Sequence, residues 1–496
     1  MMMNDIFIGV DVGTTVLKAA AFDGATGRCL AGASEALTIR VAPGGKRDMD
    51  VRALDRAFGS VFAALGRALG RRARRVAGIG VCAQGGSGHL ADRRTGRPLT
   101  PLYLWNDTRA QGLAEAVARR RSVAFWRART FRDAPGHGLS RLLWFRRERP
   151  ELFRRDAIYA GAGEHVYHLL TGAWRQDACH ALQTGCYNVP RRGRDADLTA
   201  VVGFPLRIVA PMREGHATHP LSAGAARRLG LPAGIPVAGP YMDHEAGYLS
   251  ALGVSRRPLQ CSLGTAWVGN FELSRAARWS SPVQLVIPAL THDGWLVIQP
   301  LLTGNVTWDW ALAKFVHPEK REALGRLPGI FRKRLLPPPG LVALPWFNRP
   351  NHHRFGALGA GAFLGMNAGT EPHDLVRAIA AGMVYEFARV FDDVRRRRAA
   401  DAVVLGGGAS RGGFFRTMLA ALFRPLPVFA VTEADLGGPR GAVYPFSRRV
   451  ARAPARRVAP PRGAALEGIL AGYSHYRDVF PLVYGDVKVG GPLHIK

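Results

Sequence analysis

The feature that most constrains the fold of this sequence is a short turn, Asp11-Val-Gly-Thr-Thr15, between two apolar runs at 6–10 and 16–22. The pattern predicts two strands joined as a hairpin, with Gly-Thr-Thr at the tip. Glycine lets the backbone come close to a ligand, and amides and threonine hydroxyls can donate hydrogen bonds to phosphate oxygens. Asp11 would face the same point, where a carboxylate can hold Mg²⁺ or its waters. The turn therefore predicts a phosphate site.

A similar turn, Ser262-Leu-Gly-Thr-Ala266, lies about half a chain later, again between apolar stretches. Asp, Gly and Thr are common in ordinary turns, so either turn alone is a weak signal and the pair is a stronger one. A third segment, Gly406-Gly-Gly-Ala-Ser410, joins a predicted strand to a predicted helix. Its glycines would let a flat ring and a ribose lie against the backbone, although a plain tight turn is the alternative. Together they predict two related domains that close on one nucleotide.

The chain of 496 residues is too long for a single core, so at least two domains are expected. No apolar run approaches the roughly 18 residues of a membrane span, and the first residues lack a signal-type segment. Five scattered cysteines without a CxxC pair indicate a reducing compartment, with neither a disulfide framework nor a zinc ribbon. We expect a cytoplasmic protein without a membrane partner.

The formal charge of +31 raises the question of a nucleic-acid partner. Arginine clusters such as 71–75 and 395–398 are spread over several predicted helices and loops, without interleaved aromatic residues or a known reader motif. Solvated helix faces are the favoured interpretation, so no specific nucleic-acid partner is expected. A dedicated nucleic-acid binder stays as an alternative that rests on charge alone.

Asp243 is the best candidate for a catalytic base. It ends the apolar run 235–242 and precedes a helix of small residues, so its carboxylate would project into a cleft toward a substrate hydroxyl. The alternative is that Asp243 caps the helix, which Asp does well. No G-x-x-x-x-G-K-S/T pattern occurs, which argues against a P-loop enzyme, and no G-x-G-x-x-G opens a βαβ unit.

Several segments in one order resemble the FGGY carbohydrate kinases, which include xylulokinases, glycerol kinases and erythritol kinases. The segments are Asp11-Val-Gly-Thr-Thr-Val-Leu-Lys18, Gly78-Ile-Gly-Val-Cys-Ala-Gln84, Leu104-Trp-Asn-Asp-Thr-Arg109, Leu142-Leu-Trp-Phe145, Leu170-Thr-Gly172, Gly239-Pro-Tyr-Met-Asp243, Leu263-Gly-Thr265 and Gly406-Gly-Gly-Ala409. They extend over residues 6–447. Any one of them is common, whereas the whole series in this order is specific to the family.

The resemblance implies ATP-dependent phosphorylation of a sugar or polyol hydroxyl, with Asp243 as the base that deprotonates it. Asp11 and Asp243 would position Mg²⁺ through its waters. The residues that the resemblance places around ATP are Asp11, Gly13, Thr14, Thr15, Lys18, Gly264, Thr265, Gly304, Gly406, Gly407, Gly408 and Ala409. Those that it places around the sugar are Gln84, Gly85, Gly86, Trp105, Asp107, Arg109 and Asp243. For Trp105, ordinary core packing is an equal alternative.

Two departures from the family limit what the resemblance implies. After the glutamine, xylulokinases carry Met-His and glycerol kinases Arg-Glu, whereas this chain has Gly85-Gly86, which would leave room and remove two contacts. Neither xylulose nor glycerol can therefore be assigned, and a ketopentose, tetritol or pentitol is expected. On the adenosine side, Thr417 and Ala421 replace the Gln and Ala-Asp pair of relatives, which leaves the nucleotide preference open.

We therefore expect an α/β fold of two ribonuclease H-like, actin-like ATPase domains with a cleft between them. The predicted division is an N-terminal kinase domain at 1–254 with the sugar site and the base, a C-terminal domain at 255–449 with the nucleotide site, and an Arg/Pro-rich linker and tail at 450–496. The expected partner is a small sugar or polyol, and a homodimer is kept open. The alternative function is a catalytically weakened relative that binds sugar or nucleotide as a sensor or scaffold.

Overall fold

The computed structural model describes residues 5–154, 156–274, 284–301, 303–347 and 361–485. The strands are β1 (Ile6–Val12), β2 (Val16–Asp23), β3 (Cys29–Ala36), β4 (Arg40–Ala42), β5 (Lys46–Met49), β6 (Val76–Ala83), β7 (His89–Asp92), β8 (Leu102–Tyr103), β9 (Ala157–Ala160), β10 (Tyr187–Asn188), β11 (Gly193–Arg194), β12 (Thr218–Pro220), β13 (Pro236–Met242), β14 (Pro258–Leu263), β15 (Trp267–Leu273), β16 (Leu285–Pro288), β17 (Trp295–Pro300), β18 (Val342–Leu344), β19 (Ala362–Leu364), β20 (Ala402–Gly406), β21 (Val428–Val431) and β22 (Ala455–Val458). The helices are α1 (Val51–Leu69), α2 (Ala114–Ala118), α3 (Val123–Thr130), α4 (His137–Glu148), α5 (Ala162–Thr171), α6 (Ala178–Thr184), α7 (Ala196–Ala200), α8 (Ala223–Leu229), α9 (Asp243–Ala251), α10 (Asn305–Phe315), α11 (Lys320–Lys333), α12 (Pro372–Val390), α13 (Asp392–Arg396), α14 (Gly413–Leu422), α15 (Gly437–Ala442), α16 (Arg448–Ala451) and α17 (Gly463–Tyr484).

The first large sheet has the strand order β12-β13-β6-β1-β2-β3. β1 pairs antiparallel with β2 and parallel with β6, which in turn pairs parallel with β13. One face is covered by α1, whose buried side chains Leu54, Phe58, Val61 and Leu65 recur at helical spacing. The Asp50 side chain accepts a hydrogen bond from the Arg52 amide at 3.0 Å and so caps the start of that helix.

The second large sheet repeats this plan. Its order is β16-β17-β15-β14-β20-β21-β22. β14 pairs antiparallel with β15 and parallel with β20, and β20 pairs parallel with β21, as β1, β2, β6 and β13 do in the first sheet. The antiparallel edge strand β22 corresponds to β12. Helix α12 lies between β17 and β20 in the chain, as α1 lies between β3 and β6. The two hairpins predicted at 6–22 and 258–271 are confirmed as the cores of two similar sheets.

Two helices hold the halves of the molecule together. α9 follows β13 and α15 follows β21, and the two helices pack directly on each other. Gly441 of α15 lies against the backbone of Ala246 in α9, so closely that a side chain there would overlap it. Beyond α15, Phe446 stacks on Phe7 of β1 with ring centroids 5.6 Å apart. The chain after β21 therefore returns to the first sheet.

The C-terminal region differs from the Arg/Pro-rich linker and tail predicted at 450–496. Residues 455–458 form β22 on the edge of the second sheet, and α17 has 22 residues. The Tyr476 hydroxyl donates to Glu386 Oε2 at 3.1 Å, and Tyr484 packs edge-on against Trp346. A four-residue strand rich in arginine has too short a pattern to be read from sequence, because its strand state comes from pairing with β21. Residues 486–496 of the predicted tail lie outside the described residues.

Among the helices in the described part of the chain, none combines the length and apolar character required to cross a bilayer.

Candidate active site

The first hairpin places its predicted phosphate residues at one end of the first sheet. The Gly13 amide donates to the Val16 carbonyl at 3.1 Å, which closes the turn, and Thr15 is exposed at the tip. Asp11 lies opposite Lys18 across the hairpin, with Asp11 Oδ2 3.6 Å from Lys18 Nζ. Burial raises the pKa of Asp11 above its ordinary value, against the opposing effect of Lys18, and the Asp243 carboxylate raises that pKa further.

The second hairpin has the same form and is tied to the start of α10. The Asn305 amide donates to the Gly264 carbonyl at 3.1 Å, and Thr265 is exposed at the tip. A Cβ at Gly304 would lie 2.7 Å from the Trp267 backbone nitrogen, so only glycine fits between the hairpin and the helix. Gly264, Thr265 and Gly304 are therefore neighbours, and their contact with ATP stays a prediction.

The glycine segment after β20 lies beside the second hairpin. Gly407 has φ +85°, and a Cβ there would lie 2.8 Å from the Leu263 backbone nitrogen and carbonyl carbon. Both the positive φ and the close approach require glycine. The Ser410 hydroxyl donates to the Gly407 carbonyl at 2.6 Å and fixes the single helical turn 408–411 that holds Ala409.

Asp243 is the first residue of α9 and lies in the cleft between the two halves. Its Oδ1 accepts a hydrogen bond from the His244 amide at 2.8 Å. The helix cap position is Met242, which has no side-chain cap, so the capping alternative is not the arrangement found. Glu245, on the same turn, is buried and pairs with Arg213 at 3.1 Å instead of facing the cleft.

One cleft of about 270 Å³ is lined by residues of all three segments, with Ser262 from the second hairpin. The other predicted ATP residues are not among its lining: Gly13, Thr14, Thr15, Gly264, Thr265, Gly304 and Ala409. Its lining includes Asp11, Lys18, Asp243, Gly406, Gly407 and Gly408. These residues are far apart in the sequence, and the two sheets with α9 bring them together. Gly438 also lines the cleft, and a Cβ there would lie 2.9 Å from Asp11 Oδ2. This contact was not predicted from the sequence.

Gln84 connects the first hairpin to the loop after β6. Its Oε1 accepts from the Thr14 hydroxyl at 3.0 Å and from the Ser87 hydroxyl at 2.8 Å. Its Nε2 donates to the Gly13 carbonyl at 3.2 Å. The Ser87 hydroxyl in turn accepts from the Trp105 amide at 3.1 Å. The amide of Gln84 therefore links the predicted phosphate residues to the predicted sugar residues.

The room expected beside Gly85 and Gly86 is filled by side chains from distant parts of the chain. A Cβ at Gly85 would overlap the Gln183 side-chain oxygen and would lie 3.0 Å from Met242 Cε. Gly86 has φ +76°, and a Cβ there would lie 2.8 Å from His137 Cε1. The two glycines therefore accommodate neighbours instead of leaving a cavity.

His137 and Arg141, both on α4, support this loop and were missed by sequence reasoning. His137 Nε2 lies 2.7 Å from the Gly86 carbonyl oxygen, and Arg141 Nη1 donates to the same oxygen at 3.0 Å. Burial, followed by the nearby Arg141 charge, lowers the pKa of His137 to about 3. The ring is therefore neutral at pH 7 and donates from Nε2. No local motif marks these residues, because their partners lie about 50 positions away.

Three of the predicted sugar residues lie near this loop but do not line the Asp243 cleft: Trp105, Asp107 and Arg109. Trp105 and Asp107 line a groove of about 420 Å³ with His137 and Arg141. The Asp107 carboxylate accepts from the Arg47 amide at 2.6 Å, and Arg109 pairs with Asp48 at 2.5 Å. Neither Asp107 nor Arg109 lines the Asp243 cleft, and both side chains already have protein partners.

The donor set of the cleft fits Mg²⁺ bound together with phosphates. No group of three or more His, Cys, Asp or Glu side chains suited to a metal occurs in the described ranges. Asp11 and Asp243 nonetheless line one cleft close enough for Asp243 to raise the pKa of Asp11. Mg²⁺ is usually held by one or two carboxylates and by substrate phosphates, which is what this pair offers.

The N-terminal half of the chain matches a known family. Residues 6–250 match the model of the N-terminal domain of the FGGY family of carbohydrate kinases. The chain is 27% identical over 406 residues to erythritol kinase of Brucella abortus, which covers 77% of this chain and 76% of the relative. It is 22% identical over 400 residues to xylulose kinase of Staphylococcus epidermidis, with 79% and 77% covered.

Solved structures show the same fold. Xylulose kinase from Rhodospirillum rubrum superposes with a TM-score of 0.82 at 23% identity, over 96% of this chain and 98% of that one. Plasmodium falciparum glycerol kinase with ADP gives 0.79 at 13% identity, over 97% and 98%. The predicted fold of two actin-like ATPase domains is confirmed. With the family match and the curated relatives, the chain belongs to the FGGY family and is a carbohydrate kinase.

Proposed function

We propose that this kinase transfers the γ-phosphoryl group of ATP to a hydroxyl of a small sugar or polyol, with Asp243 as general base. A ketopentose, a tetritol or a pentitol is the favoured substrate class, because xylulose and erythritol kinases are among the relatives. The observation that carries the proposal is the single cleft that contains Asp11, Lys18, Asp243 and the Gly406–Gly408 backbone.

Asp243 has the position and the free oxygen that a general base needs. Its Oδ1 is held by the His244 amide, while Oδ2 has no hydrogen-bond partner within the residues that the structure describes. Oδ2 takes the proton of the substrate hydroxyl, and the hydroxyl oxygen attacks the γ-phosphorus in line as its bond to the β-phosphate oxygen breaks. The products are the phosphorylated substrate, ADP and one proton on Asp243.

The hairpin tips supply donors for the charge on the phosphoryl oxygens. The amides and hydroxyls of Thr15 and Thr265 and the Thr14 amide would meet that charge from two sides, with the Lys18 ammonium near Asp11. Gly13 would shape the turn, because its amide already donates to Val16, and the Thr14 hydroxyl already donates to Gln84. Donors that are already in place cost little reorganisation during the reaction. Gly264 and Gly304 border the phosphates, and Gly406, Gly407, Gly408 and Ala409 face the adenosine. Asp11 and Asp243 would hold Mg²⁺, which neutralises phosphate charge when bound.

The substrate side is formed by the loop after β6 and its supports. Gly85, Gly86 and Trp105 would contact the sugar, together with Asp243. Gln84 would keep that loop in register with the first hairpin, through its hydrogen bonds to Thr14 and Ser87. Asp107 and Arg109 would act indirectly by fixing the segment that carries Trp105, since the Asp107 carboxylate accepts from the Arg47 backbone amide and Arg109 pairs with Asp48.

A coupled ADP-release assay over pentuloses, hexuloses, aldoses, tetritols and pentitols tests the proposal. We expect turnover that depends on both Mg·ATP and one compact class of acceptor, well above ATP hydrolysis without acceptor. Sugar binding without turnover on any acceptor would instead support the weakened, sensor-type relative that Thr417 and Ala421 suggested. Turnover confined to hexoses would overturn the favoured substrate class.

A further inference from the structure

A groove rich in arginine lies at the end of α9 opposite to Asp243. It has a volume of about 790 Å³, and we call it the arginine groove. Its charged lining residues are Arg256, Arg257, Arg397, Arg398, Arg448 and Glu272, besides His292. The lining of the catalytic cleft extends along α9 to Ala251, and the lining of the groove begins at Leu252 and Gly253, so the two cavities lie next to each other. None of the groove residues lines that cleft.

The charges in the arginine groove are unbalanced. In the described parts of the chain, Arg256, Arg257, Arg398 and Arg448 form no salt bridge. Neighbouring arginines behave differently: Arg395 and Arg396 pair with Asp392 and Asp393. Arginine is common along the whole chain, but in this groove several arginines have no carboxylate partner within the described residues.

The acidic groups near the arginine groove are already engaged. Glu272 accepts from the Thr291 hydroxyl at 3.0 Å and lies 2.9 Å from His292 Nε2. Asp401, at the edge, accepts from the Arg257 backbone amide at 3.2 Å. Five arginines against one glutamate give the lining a formal charge of +4 with His292 neutral. An anionic ligand would relieve this repulsion.

The arginines of the groove come from both halves of the molecule. Arg256 lies two residues before β14 of the second sheet. Arg448 follows the segment that packs on the first sheet, where Phe446 stacks on Phe7 and Arg449 donates to the Ala25 carbonyl. A ligand that contacts Arg256 and Arg448 together therefore meets cations carried by segments of both halves.

We propose that the arginine groove binds a small polyanion that carries two or more phosphate groups. The planar guanidinium group offers paired donors that match phosphate oxygens, and several such groups around one cavity favour a multiply charged ligand. The volume lies within the roughly 300–1,000 Å³ of small-molecule sites. This inference is independent of the proposed function, because it uses no residue of the catalytic cleft.

Isothermal titration of the full chain with inorganic tripolyphosphate, with saturating ADP present to fill the catalytic cleft, tests the proposal. The variant Arg256→Gln/Arg448→Gln removes one cation from each side of the groove. The control Arg71→Gln/Arg74→Gln removes the same charge from exposed positions beyond α1. We expect the groove variant to bind at least about tenfold more weakly and the control to bind like the parent.

Three results would overturn the proposal. Equal affinity in the parent, groove variant and control would mean non-specific attraction to a basic chain. Binding of tripolyphosphate only when ADP is left out of the titration would place it in the catalytic cleft. Binding of an RNA or DNA oligonucleotide that is lost in the groove variant, without binding of tripolyphosphate, would identify a nucleic-acid surface. If the double variant does not fold, as judged by circular dichroism, the single variant Arg398→Gln serves in its place.

Discussion

The two hairpins that border the catalytic cleft share a backbone plan and differ at one register position. In the first sheet, Asp11 of β1 lies opposite Lys18 of β2 and beside Cys82 of β6. In the second sheet, the same position is Ser262, opposite Val268 and beside Gly406. The first hairpin thus presents an ion pair to the cleft, and the second presents a neutral hydroxyl.

The segments that follow the next parallel strand differ in the same way. After β6 come Gln84 and Ser87, and Gln84 Oε1 accepts from the hydroxyls of both Ser87 and Thr14. After β20 comes Gly407, which leaves the backbone itself at the surface of the cleft. Under the proposed function, the repeated framework would set where the ligands meet, and a few residues at strand ends would decide which half binds the acceptor and which binds the nucleotide.

Among the tests that compare the two hairpins, removing the charge of Asp11, at the register position that it shares with Ser262, should have the largest effect on kcat. Asp11→Asn removes a carboxylate that would hold Mg²⁺, and we expect kcat to fall by about 10²–10³-fold, as for loss of one preorganised electrostatic group. The matched change in the second hairpin, Ser262→Ala, should cost less than about tenfold. Steady-state ADP release measures both, and equal losses would mean that the hairpins do not differ in role.

Substituting Gly86 in the first half and Gly407 in the second should affect the KM values for acceptor and ATP differently. Gly407→Ala and Gly86→Ala both put a side chain at positive φ, a strain of about 1–3 kcal/mol in the free energy of unfolding. We expect Gly407→Ala to raise KM for ATP and Gly86→Ala to raise KM for the acceptor. Gly413→Ala, at a helical position with open space, is the control and should leave both KM values unchanged. The same KM pattern in both variants would contradict the division.

A smaller effect is expected in the pH dependence of the first hairpin. Burial raises the pKa of Asp11 and Lys18 lowers it, so Lys18→Met should raise that pKa further. If ionised Asp11 is needed, the acid limb of kcat/KM moves to higher pH in Lys18→Met, and activity is lost at a higher pH as the medium is acidified. Lys46→Met, at an exposed position on β5, is the control. An acid limb that stays in place would mean that Asp11 does not set it.

The hairpins, α1 and β13 could be predicted because their apolar periodicity and turn residues act locally. The position of Asp243 could be predicted for the same reason, since it directly follows a buried strand. Its role as the base stays a prediction. Gln183 and His137 were not found, because they reach Gly85 and Gly86 from about 50 to 100 residues away and only the packed fold joins them. β22 was missed because pairing with β21, not its own sequence, makes it a strand.

The most direct test of the account is the turnover of Asp243→Asn with the best acceptor from the panel. Asparagine keeps the shape and the contact with the His244 amide but cannot take a proton. We predict a fall in kcat of about 10²–10⁴-fold, while ADP binding measured by calorimetry stays within about twofold of the parent. Unchanged turnover in a folded Asp243→Asn variant would contradict the assignment of the base and, with it, the proposed geometry of transfer.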